Sequence, residues 1–273
     1  MLTIVIGGVI IVTAFLAMFV EWTAQYIPFE FETALSQPIA EKLNNKSNEV
    51  DKYLQQLADK IIPYMDLPEN TEIHLHYVND DTVNAMATLG GHVMIYRGLL
   101  EQLPDESTLV MLLGHEIGHV KLRHPVKALG KSIVISLVLS TILGQSSDSV
   151  SNVITDTSML TMLSFNRDQE QESDEEGIKV LNAYYGGVQG ATELFEILEK
   201  EHQEGGFDVP QFLSSHPDTK NRKNHLNEIA QTQGWIQQGD PEPIPGYILN
   251  IMAADKQLAN EEQQPDKEKS RQE

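Results

Sequence analysis

The chain contains no cysteine. Disulfides, thiolate metal sites and lipid attachment through sulfur are therefore excluded, and side chains that bind a metal here must be histidines or carboxylates. Basic charge is scarce as well: 19 Lys and Arg stand against 40 Asp and Glu, a net charge of −21 over 273 residues. No basic surplus is left to neutralise phosphates, so nucleic acid is not an expected partner, and a polybasic grip on anionic lipid heads is excluded on the same ground. The first basic residue is Lys42, and no internal repeat is found.

What is present begins with an uncharged run from Leu2 to Val20. It is long enough to cross a hydrocarbon core as a helix, lacks the basic n-region of a signal peptide, and reads as an uncleaved anchor with Trp22 and Tyr26 at the interface. A linker with Pro28 and Pro38 follows. Val50, Leu54, Leu57 and Ile61 repeat at helical spacing, and Pro63 ends the pattern. Glu72–Val78 alternates as a strand with Ile73, Leu75 and Tyr77 on one face, and His92–Tyr96 reads as a second strand. A helix capped by Asp105 runs toward Pro125. Ile133–Leu143 is too short to span a bilayer and reads as a core helix. A further helix ends at Gly186-Gly187, another spans about 191–202, and a turn at His216-Pro217 leads into a last helix. Beyond Gln237 the composition is that of a disordered tail.

The chemistry concentrates in "GHEIGH". His115 and His119, four apart on a helix, turn both imidazoles to one side, and Glu116 sits beside the first. Two imidazoles at that spacing reach one zinc ion, and the adjacent carboxylate is placed to act as base on water. A third ligand is needed, and "NRDQEQESDEEG" offers Glu170, with Asp174 one turn later to accept a hydrogen bond from a ligand imidazole. Ser173 and Gly177 are small enough to let the two helices pack closely.

"GHEIGHVKLRH" followed by "RDQEQESDEEG" resembles the M48 family of membrane-associated zinc endopeptidases. The likeness extends to "NAMATLGGHVMIYRGLL" before the zinc helix and to His216-Pro217 followed by Arg222, with Ser173 where the family usually has Ala. It implies an α+β fold: a mainly helical zincin-type metalloprotease domain with a small β-sheet, preceded by one N-terminal transmembrane helix. The expected division is an anchor over 1–21, a linker over 22–38, the metalloprotease domain over 39–237 and an acidic, disordered tail over 238–273. One Zn2+ per chain is implied, held by His115, His119 and Glu170, with Asp174 and His124 behind the ligands. Glu116 would be the catalytic base, with His216 and Arg222 at the mouth of the site and His216 stabilising an oxyanion or capping the zinc at rest. The strand His92, Val93, Met94, Ile95 and Tyr96 would be an exposed edge that pairs with substrate backbone. His74, His76, His202 and His225 lack a partner motif and read as surface or packing residues, as does His92 apart from its strand.

The expected function is that of a membrane-anchored, single-pass zinc endopeptidase with its domain outside the cytoplasm. Its expected substrates are misfolded membrane or envelope polypeptides. Two alternatives are a non-catalytic membrane-tethered chaperone or adaptor with the same fold, and an enzyme held closed by the segment 144–165.

Overall fold

The structure, a computed structural model, describes residues 2–43, 48–143, 164–204, 211–216, 219–237, 239 and 241–262. In chain order these form α1 (Leu2–Thr23), α2 (Phe29–Leu43), α3 (Glu49–Ile61), β1 (His74–Val78), β2 (Ala85–Ala87), β3 (His92–Tyr96), α4 (Arg97–Leu100), α5 (Glu106–Lys121), α6 (His124–Leu143), α7 (Arg167–Tyr185), α8 (Glu193–Glu204), α9 (Gln211–Ser215), α10 (Thr219–Gln233) and α11 (Gly246–Glu262). The architecture is α+β, mostly helical around one small sheet.

The axis of the fold is α5, buried along its length from Ser107 to Val120. Asp105 starts it by accepting the Thr108 N–H at 2.8 Å, which satisfies one of the orphan donors of the first turn. Asn166 caps α7 through the N–H groups of Asp168 and Gln169, and Gly186 ends it in the left-handed conformation at φ 71°. The two helices touch through glycine. A Cβ on Gly114 would lie 2.5 Å from Val180 Cγ1 and 2.9 Å from the Gly177 backbone, so any larger side chain would push them apart.

The sheet has the order β1-β3-β2, with β1 parallel and β2 antiparallel to β3. Leu75, Tyr77, Val93 and Ile95 face the main core, where Val50, Leu54, Leu57 and Ile61 of α3 meet them. Strand β3 is therefore the middle strand, both sides of its backbone are paired, and the expectation that His92–Tyr96 forms an exposed edge is corrected. Strand β1 is also covered: Gln55 accepts the Leu75 N–H at 3.0 Å and donates to Ile73 O at 3.1 Å, and Asp51 accepts the Tyr77 N–H at 2.5 Å. Strand β2 forms the other edge of the sheet, and its three residues are buried.

Three further expectations are revised. The linker over 22–38 is largely helical, with Pro38 inside α2. The tail is not disordered throughout, because Ile248 and Met252 of α11, together with Ile244 before it, are buried in the main core; residues 263–273 lie outside the described residues, as do 144–163 of the segment 144–165. The second apolar run is only partly buried over residues 133–138. In α6, Val134 is buried, but Ile135 and Leu137 are 52% and 47% exposed.

Helix α6 lies along α1, where a Cβ on Gly130 would meet Val20, and Lys131 pairs with Glu21 at 3.1 Å. Ile10, Ile11, Phe15, Met18 and Phe19 on α1 are exposed. Among the described residues no single helix is long and apolar enough to cross a membrane; Ile10–Tyr26 and Phe29–Pro38, bent by 104°, pass that test as a pair on length and composition.

Helix α2 is fastened to the end of α5 by a buried ion pair. Arg123, in the left-handed region at φ 63°, places Nη1 2.5 Å from Glu32 Oε1 and donates through Nη2 to Ile27 O. The other Glu32 oxygen accepts the Gly90 N–H at 3.3 Å. Burial pushes the Glu32 carboxyl above its usual range, with Arg123 opposing that shift.

Candidate metal centre

The close approach of α5 and α7 sets one side chain of α7 against the histidine pair. His115 Nε2 and His119 Nε2 lie 3.0 Å apart. Glu170 brings Oε2 to 3.7 Å from His115 Nε2 and Oε1 to 3.4 Å from His119 Nε2. Donor atoms bound to one zinc at about 2.0–2.1 Å are separated by roughly this spacing. His216, just after α9, supplies a fourth: the nearest donor atoms of His115, His119, Glu170 and His216 all lie within 4.8 Å of one another, and all four residues are buried. Without Cys, a His and carboxylate set is what a borderline divalent ion such as zinc accepts.

Asp174 stands behind the ligands, with Oδ1 2.9 Å from His115 Nδ1. His124 Nδ1 lies 2.8 Å from His119 Nδ1 and 3.3 Å from Ser173 Oγ, and its Nε2 is 3.1 Å from Glu172. Both ligand imidazoles are thus held from the rear, which fixes ring orientation. Glu116 has no solvent exposure, and its carboxylate has no partner at full hydrogen-bond geometry among the described residues, the Ala87 N–H being the backbone donor that faces it. Burial raises its pKa above the ordinary carboxylate range, against the pull of His216 and His115. A buried carboxylate so weakly paired is costly unless a ligand or reactant completes it.

Arg222 is not at the mouth. It is 4% exposed and sits behind α7, with Nε and Nη2 each 2.7 Å from an oxygen of Asp174 and Nη1 2.7 Å from Glu170 Oε2. A planar guanidinium matches two carboxylates in a way no other side chain does, and this draws it inward. Burial raises the Glu170 carboxyl, but His216 and Arg222 outweigh it and hold the group well below the usual range. His216 itself is fully buried, with its Nδ1 3.0 Å from Glu170 Oε1, its Nε2 3.7 Å from Glu116 Oε1 and its ring stacked on Phe212.

Sequence reasoning missed two aromatic contacts: Phe165 stacks on His119 at 3.9 Å, and Phe212 on His216 at 4.3 Å. It also missed that α9 adjoins the start of β2, the Phe212 N–H donating to Val83 O at 3.3 Å.

Residues 48–230 match the family model described as Peptidase family M48. The chain belongs to that family. Among curated relatives of this M48 chain, the beta-barrel assembly-enhancing protease of Escherichia coli K12 is 28% identical over 196 residues, 66% of this chain and 40% of the relative. The mitochondrial metalloendopeptidase OMA1 of Saccharomyces cerevisiae is 28% identical over 188 residues, 66% of this chain and 53% of the relative. The mitochondrial metalloendopeptidase OMA1 of Bos taurus is 28% identical over 226 residues, 71% and 42% of the two chains. The chain thus spans about half the length, or less, of these relatives.

Proposed function

We propose that this chain is a membrane-anchored zinc endopeptidase, described here with its site closed. The observation that carries the reading is the convergence of His115, His119 and Glu170 from two helices beside the buried carboxylate of Glu116. A zinc ion held by these three supplies Lewis acidity, polarising a carbonyl and acidifying water. Glu116 takes a proton from the attacking water and delivers it to the leaving amine. Burial raises its pKa, the direction that strengthens a carboxylate as a base. Asp174 and Arg222 do not touch the reacting atoms; they orient His115 and Glu170.

His216 occupies the position a substrate carbonyl and water would need, so in this arrangement the site is capped. Opening requires His216 and α9 to move away from the end of β2. Substrate backbone would then add along the outer side of β2, Ala85–Ala87, which is buried before that movement, rather than to β3. Pairing through main-chain groups fits recognition of unfolded polypeptide with little side-chain preference. The exposed apolar residues of α1 and α6 support a domain seated at a bilayer, and misfolded membrane or envelope proteins are the substrates that such a position would favour. An extracytoplasmic domain is the topology we favour, because Glu21, Glu30 and Glu32 follow the apolar run and no Lys or Arg stands between it and Lys42.

The test uses the full chain in detergent, loaded with zinc, on casein. Cleavage by wild type, and its loss in Glu116→Gln with zinc retained, supports the reading. A zinc-loaded wild type that cuts nothing yet suppresses aggregation assigns the chain to the adaptor class. Zinc content near one per chain at this centre, lost in His115→Ala and Glu170→Ala, tests the ligand set.

A further inference from the structure

A second group of histidines lies on the sheet, away from the α5–α7 centre. The sequence Glu72-Ile73-His74-Leu75-His76 alternates, so Glu72, His74 and His76 share one face of β1 while Leu75 points into the core. The register pairs His74 with His92 on β3, which puts a third imidazole on that face. His76 Nε2 and His92 Nδ1 are 2.9 Å apart, and the His74 ring lies 5.0 Å from that of His92. His76 and His92 are 8% and 5% exposed. The His74 side chain is 41% exposed, and its Nε2 lies 3.6 Å from Glu72 Oε2. His74 and His76 open onto a cleft of about 230 Å³ that admits an ion from solvent.

We propose that His76 and His92, completed by His74 and Glu72, form a second binding site for a divalent transition-metal ion of the zinc, nickel or copper(II) class. Two imidazole nitrogens on one such ion at roughly 2.0–2.1 Å lie about 3 Å apart, which the His76–His92 pair already provides. The solvent-side pair, His74 and Glu72, does not converge on that point in this structure and would have to move to close on the ion. Burial lowers the pKa of both His76 and His92, the latter to about 4, and the ion would replace the hydrogen bond between their facing nitrogens. Two other charges face the cleft. Asp51 is engaged by Asn48 N and Tyr77 N, and Lys52 by Glu49 at 2.6 Å, so neither competes for the ion. An ion here would clip β1 to β3 at the end next to the Gly90-Gly91 turn that α2 covers.

The experiment counts metal. The full chain, purified in detergent without an oligohistidine tag and stripped with chelator, is titrated with zinc and analysed by atomic emission. Two equivalents are expected for wild type, one for His115→Ala, one for the His76→Asn, His92→Asn pair, and none for the triple variant. Saturation of wild type at one equivalent that His115→Ala abolishes overturns the proposal, as does retention of two equivalents in a folded His76→Asn, His92→Asn chain. Should that pair unfold, the half-exposed His74→Ala decides. A second equivalent bound at least ten-fold more weakly, with the first unchanged, upholds the site, and unchanged binding of both overturns it. The His115→Ala arm reports separately on the catalytic centre, so the two failures are distinguishable.

Discussion

Arg222 grips Asp174 with two parallel bonds, Nε to Oδ2 and Nη2 to Oδ1, both 2.7 Å, and neither residue is more than 4% exposed. Through this pair α10 determines where a residue of α7 meets a ligand of α5.

Arg222→Ala leaves two buried carboxylates, Asp174 and Glu170, without their cation. A loss of about 3–5 kcal/mol is expected in denaturant unfolding, with zinc affinity weakened on the order of 10–100-fold. Arg222→Lys should recover little of either, because one ammonium cannot reproduce the planar fork. Equal zinc affinity in wild type and Arg222→Ala would show that the pair does not hold the ligands in place.

Gly114→Ala adds a methyl group where Val180 and Gly177 leave no room. The helices must separate, at a cost of about 1–3 kcal/mol, and Glu170 retreats with α7. Zinc binding should weaken while His115→Ala abolishes it; Gly186→Ala, where nothing crowds the added carbon, tests backbone strain alone and should leave zinc affinity unchanged.

Truncation after residue 240 removes Ile244, Ile248 and Met252 from the core. Burial of each such side chain contributes about 1.5–3 kcal/mol as an upper bound, so several kcal/mol should be lost together. Truncation after Glu262 spares all three. Thermal unfolding of the two truncations distinguishes a structural α11 from a dispensable tail.

Acid should destabilise the metal-free chain through His92. In the folded state its pKa is lowered to about 4 by burial and by His76 and His74, whereas in the unfolded chain it titrates near 6.5. Between those values the unfolded chain binds the extra proton, so the contribution is complete above about pH 6.5, declines as pH falls to about 4 and then levels off. His76, also lowered, acts in the same direction, with Asp51 partly opposing it. The His92 share is at most about 3 kcal/mol. Urea midpoints in EDTA at pH 7 and 4.5 should diverge more for wild type than for His92→Gln.

The features legible in the sequence are those set by local periodicity. His115 and His119 share a face because a helix repeats every 3.6 residues, and Asp105 and Gly186 punctuate their helices whatever surrounds them. Ser173 and Gly177 announced the close helix pair for the same reason.

Strand order was not legible, since whether β3 is central depends on β2, and Ala85-Met86-Ala87 carries no β-branched residue to mark it as a strand. The Arg222 contacts join residues 48 and 52 positions apart, and no spacing encodes them. In α11 the signal was present, Ile244, Ile248 and Met252 recurring every fourth residue, but the Gln- and Glu-rich composition around them concealed it.

The Glu32–Arg123 pair has a mechanical meaning. Tension drawn along the first helix does not dissipate in a slack tether; it loads a buried ionic bolt one short turn beyond His119. Displacement of the N-terminal helices would thus be passed to the C-terminal end of the histidine-bearing helix through Glu32–Arg123, and to α6 through Glu21–Lys131.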